Sequence, residues 1–126
     1  MHMEDYEALT PEENHRLGIE HFNAGRFFPA HEAWEAAWKQ VKQTADAEFF
    51  KGLSQLGAGY VHLLRGNRHG AHTLMRRGAR RIQRFGSEHR GVDIERLAAA
   101  ALAHADDVEA AERADRPMPV LESPHI

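Results

Sequence analysis

His31 and Glu35 stand four residues apart in the run FNAGRFFPAHEAWEAAW, residues 22–38. On a helix that spacing makes the two side chains neighbours. A neutral imidazole beside a carboxylate can hold a divalent metal ion, or move a proton without one. A second polar set follows in FKGLSQLGAGYVHLLRGN, residues 50–67, where Gly52, Gln55, Gly59 and His62 recur at spacings of 3, 4 and 3. These four form one helical stripe that alternates an absent side chain with a polar one. With the two helices antiparallel the sets meet, the glycines permitting close approach. His31, Glu35 and His62 are then candidate ligands for zinc, manganese or iron, with Gln55 beside them. Open positions on such a metal would serve metal-assisted hydrolysis. Read without chemistry, the same residues are a buried polar network that fixes helix register. The spacing H-x-x-x-E is not H-E-x-x-H, so it names neither a reaction nor a catalytic residue, and a divalent metal is the only cofactor it suggests.

Trp34 and Trp38 lie on the same helix, on a face shared with Ala37 and Val41. At helical spacing two indoles are expected as core anchors, and the other reading makes them the wall of a ligand pocket. The helix dipole near the start of that helix favours a neutral His31. The histidines at 2, 15, 21, 69, 72, 89, 104 and 125 form no constellation that spacing alone defines.

The elements that must position these residues are helical throughout. Thr10-Pro11-Glu12-Glu13 reads as a capping box opening a first helix that ends near Ala24, with Gly25 as its left-handed cap. The apolar pattern of that helix (Leu17, Ile19, Phe22) is not a clean stripe. Pro29 suits the first turn of a second helix, expected from about Pro29 to Lys42, with Phe28 extended before it. Thr44 is expected to cap a third helix from about Ala45 to Arg65, whose apolar arc covers more than half its circumference. Such a helix is central and packed on several sides. A fourth runs from about Arg68 to Phe85 and stops at Gly86; Ser87 to Val92 reads as a loop. Asp93 caps a fifth, striped with Ile94, Leu97, Ala98, Ala101, Leu102, Ala105 and Val108 and ending near Arg113. The expectation is an all-α, single-domain bundle of about five helices with the third at its centre. Residues 1–9 form an arm, 10–113 the helical domain, and 114–126 a proline-containing tail laid on the body through Val120 and Leu121.

Composition narrows the class. The chain of 126 residues has no cysteine, which removes disulfides, zinc-thiolate sites and thiol nucleophiles. Met1-His2-Met3 does not open a secretory signal, and no apolar run reaches the roughly 20 residues of a membrane span. A cytoplasmic protein with no membrane partner is expected. The net charge of −3 conceals segregation: residues 65–90 carry eight arginines against Glu88 alone, while both flanks are acidic. Acidic helices packed on a basic one, within a monomer or a homo-oligomer, account for this pattern. Arg76, Arg77, Arg80, Arg81 and Arg84 are also candidates for an anion-binding face. Nucleic acid is the weaker partner, because no aromatic residues interleave with these arginines and neither end adds a basic tail.

The two aromatic runs, followed by the helix containing GAHTLMRRG (residues 70–78), resemble the prokaryotic helical family known as domain of unknown function 309. The resemblance covers roughly residues 10–86. It implies a small all-helical bundle and no established activity. It places a polar signature on His31, Glu32, Glu35, Gln55 and His62, with Gly25, Gly66 and Asn67 as turn residues. Phe28-Pro29 departs from the family's usual aromatic followed by glutamate.

Overall fold

The computed structural model describes residues 5–126. Residues 1–4 of the expected arm lie outside the described residues. A 3-10 turn, Tyr6–Ala8, precedes five α-helices: α1 Pro11–Asn23, α2 Phe27–Gln40, α3 Ala45–Leu64, α4 Arg68–Gln83 and α5 Ile94–Arg113. A two-stranded ribbon, β1 Glu88–His89 and β2 Val92–Asp93, joins α4 to α5. Each helix packs mainly on its neighbours in sequence, so α3 sits between α2 and α4. No helix among the described residues is long and apolar enough to cross a membrane.

The helix boundaries follow local chemistry. Thr10 accepts from the Glu13 amide and Glu13 returns a bond to Thr10, closing the capping box. Gly25, Gly66 and Gly86 take positive φ just past the ends of α1, α3 and α4. Asp93 caps α5 by accepting from the Arg96 amide. Thr44 stands at the N-cap of α3, yet its hydroxyl donates back to the Val41 carbonyl instead of capping the helix.

Four expectations are corrected. Helix α2 starts at Phe27, two residues before Pro29, so Phe28 is helical; Pro29 still falls in the first turn, where its missing N–H leaves no bond unmade. The loop expected over 87–92 closes as a hairpin because Arg90 (φ 48°) and Gly91 (φ 78°) supply the two left-handed residues of a tight two-residue turn. Val120 is fully exposed, while Leu121 packs on the body as expected and is joined there by Met118, Pro124 and Ile126. The Asn23 amide brackets its end, accepting from the Ile126 N–H at 2.6 Å and donating to the Ile126 carbonyl at 3.4 Å. Finally, Gly52 and Gly59 face α4, at Gly78 and Ile82 and at Met75, and not α2.

Candidate functional site

His31 sits in the second turn of α2, half-buried where α2 crosses α3. Gly57 makes the crossing close: a Cβ there would stand 3.1–3.2 Å from the His31 backbone and Cβ. Buried Ser54, one turn earlier on α3, locks the ring. Its carbonyl lies 3.0 Å and its hydroxyl 2.8 Å from His31 Nδ1, and that hydroxyl donates to the His31 carbonyl at 3.1 Å. A carbonyl only accepts, so Nδ1 carries the hydrogen. Nε2 is left facing Glu35 Oε2 at 3.3 Å. Two acceptors at that distance call for something positive between them, either a proton on Nε2 or a cation. Lys39 Nζ holds the other carboxylate oxygen at 3.0 Å.

Glu35 also lines a depression of about 520 Å³ between the N-terminal segment (Asp5, Tyr6, Glu7) and the outer face of α2 (Glu32, Glu35, Ala36, Lys39, Gln40). Four carboxylates against one lysine make it electronegative. Its walls are tied together from beneath. The Asn14 amide donates to the Tyr6 carbonyl at 2.8 Å and to Gln40 Oε1 at 3.0 Å, and Gln40 donates to the Leu9 carbonyl at 2.7 Å. Asn14 Oδ1, on the same buried amide, has no hydrogen-bond partner among the described residues.

The other residues named from sequence go elsewhere. Gln55 turns to α4, where it accepts from Arg81 at 3.1 Å. His62 Nδ1 accepts from the Asn67 amide at 3.1 Å, and Asn67 in turn caps α4 through the Gly70 amide. His62 shares a shallow hollow of about 150 Å³ with His31, Phe28 and Arg65, but it does not join the pair. Among the described residues, the group of three His or carboxylate side chains whose ligand atoms lie within 4.8 Å of one another is His69, His72 and Glu112. Trp34 is fully buried and cannot touch a ligand, while Trp38 packs partly buried under Lys51, 5.5 Å from its ring. Of the arginines, Arg76 pairs with Asp106 and Glu109 of α5, and Arg81 pairs with Glu48 of α3. Arg77, Arg80 and Arg84 are exposed.

Sequence reasoning did not find His15. Fully inside the bundle, its Nδ1 accepts the Trp34 indole N–H at 3.0 Å, so Nε2 carries the hydrogen and donates to the Arg90 carbonyl at 2.9 Å. Phe49 and Phe50 close on the ring. Burial pushes the His15 pKa below its usual 6.5, against the smaller opposing pull of the Arg90 carbonyl and Glu12. A folded-state pKa below the unfolded one means that the unfolded chain takes up the proton first, so this contribution to stability is whole above pH 6.5 and fades as pH falls below it. His15→Gln is expected to lose about 1–2 kcal/mol at pH 7.5 from its two buried partners. It should also lose less than the parent between pH 7.5 and pH 5.5 in thermal melts; equal losses would refute the assignment. A signal was available in the 15–18–22 stripe of α1, but it is made of His, Gly and Phe, and only Phe reads as apolar.

Residues 15–74 of the chain match the family model described as Domain of unknown function (DUF309), in line with the resemblance read from the sequence. No curated protein and no solved structure matches the chain.

Proposed function

We propose that this protein is a helical binding domain that takes a divalent cation at His31 and Glu35, on the rim of the acidic depression. The observation that carries the reading is the lock on His31: Nδ1–H is committed to Ser54, and Nε2 is aimed at a carboxylate. Metal-binding histidines are characteristically held in this way, with the distal N–H given to a carbonyl. The surrounding donors Glu32, Asp5 and Glu7 are carboxylates, which suit manganese or magnesium, and the single imidazole shifts the preference towards manganese. Lys39 competes with the ion for Glu35 and must swing aside, which an exposed lysine does at little cost.

The experiment is manganese(II) titration of the full chain, read by electron paramagnetic resonance. Binding is expected in the parent and not in His31→Ala or Glu35→Gln, with Ser54→Ala weaker by about 10-fold as the outer support of the ring is trimmed. Undiminished binding in His31→Ala would refute the site. A second reading is an architectural network. It is favoured by the internal partners of Gln55 and His62, which leave neither in need of a ligand. Under that reading manganese does not bind and His31→Ala lowers the melting temperature.

A further inference from the structure

The end of the bundle where α4 begins and α5 finishes carries two imidazoles and a carboxylate on one spot. His69 and His72 lie three residues apart on the first turns of α4, so both point the same way, towards the last turn of α5. Their rings meet edge to face, 5.2 Å between centroids. Both stand near one oxygen, Glu112 Oε1: His72 Nε2 at 2.9 Å and His69 Nδ1 at 3.5 Å. For a metal ion with ligand bonds of about 2.0–2.1 Å, tetrahedral geometry puts neighbouring ligand atoms ~3.3 Å apart. Both distances are already close to that edge. His72 is buried, Glu112 is half-buried and His69 is exposed, giving one rigid ligand, one semi-rigid ligand and an open side for the ion to enter.

We propose that His69, His72 and Glu112 form a second, separate site for a tetrahedral divalent ion of the zinc class, with water in the fourth position. Two histidines and one glutamate are a sufficient protein ligand set for zinc with an open position. The negative end of the α5 dipole adds to the attraction at Glu112, while the positive end of the α4 dipole opposes it at His69.

Arg76 is the resident competitor. Its Nη1 donates to His72 Nδ1 at 3.2 Å, which puts the ring hydrogen on Nε2, where it is donated to Glu112. Metal binding requires that hydrogen to pass to Nδ1, leaving the Nε2 lone pair for the ion. Arg76 Nη1 must then turn away while Nη2 keeps Asp106 at 2.8 Å and Glu109 at 2.9 Å. The structure therefore assigns Arg76 a definite role: it holds His72 in the tautomer that excludes metal. A glutamine there would instead accept from Nδ1–H and favour the binding tautomer.

The test is cobalt(II) titration of the full chain, followed through the visible d–d band of tetrahedral cobalt, with zinc as competitor. The parent is expected to develop the band to one equivalent and to lose it on adding zinc. His69→Ala and Glu112→Gln, both at accessible positions, should abolish the band while helicity by circular dichroism is kept. His31→Ala should leave it unchanged, which separates this site from the manganese site. Arg76→Gln should bind about 10-fold tighter. Absence of the band in the parent, its survival in His69→Ala, or weaker binding in Arg76→Gln would each overturn the proposal.

Discussion

Gly78→Ala is expected to destabilise the protein by about 2–3 kcal/mol, although alanine is the better helix former by ~1 kcal/mol. At residue 78 the backbones of α3 and α4 touch. A Cβ there would stand 2.7 Å from the Gly52 carbonyl oxygen and 2.9 Å from the Leu56 amide nitrogen. Neither atom can yield without shifting α3, which carries Ser54 on one side and Gln55 on the other. Gly52→Ala is the natural comparison, since its tightest contact, at 2.7 Å, is the Ile82 Cγ2 methyl, a side-chain atom, and the nearest backbone atom, the Gly78 carbonyl oxygen, is 3.2 Å away. It should cost less. Denaturant midpoints at constant slope would measure both, and a stabilised Gly78→Ala protein would refute the close crossing.

The largest loss is expected from Trp34→Ala, about 4 kcal/mol. The indole is completely buried, packs against Phe22 and is the donor to His15. Against the 5–15 kcal/mol typical of a domain this is a large share. The same ring also explains Gly18, where a Cβ would stand 2.4 Å from Trp34 Cε2. The two positions should therefore be coupled. Gly18→Ala is expected to be strongly destabilising in the parent and neutral or stabilising once Trp34 is alanine. A double-mutant cycle by chemical denaturation checks this, and additive losses would contradict the packing.

Helices were the most legible part of the fold, because their signals are local. Thr10 with Glu13, Gly25, Gly66, Gly86 and Asp93 act within a few residues of themselves, and all five appear at helix ends. Partner choice was not legible. The stripe of Gly52, Gln55, Gly59 and His62 was correctly read as one face of α3, but a helix buried on two sides has two candidate neighbours, and periodicity gives phase without saying which neighbour lies in that direction. The face belongs to α4, and the contact with His31 fell to Gly57 and Ser54, on the other side. The same limit separated His69 and His72 from Glu112. The i, i+3 spacing of the two histidines is visible in sequence, whereas the glutamate lies 40 residues further on, and only the α4–α5 packing brings it back.

Because each helix leans on the one before it, most of the structure can assemble in the order in which the chain is made. Two clasps break that order. The Arg90 carbonyl and guanidinium reach back across 75 and 78 residues to His15 and Glu12, and the Asn23 amide waits for Ile126, 103 residues away. Contacts over such separations carry the greatest loop-closure cost and are expected to form late. Of the five helices α1 is thus made first and locked in place last, and until Arg90 and Ile126 arrive its inner face is held only by α2 and by the α3 aromatics Phe49, Phe50 and Tyr60.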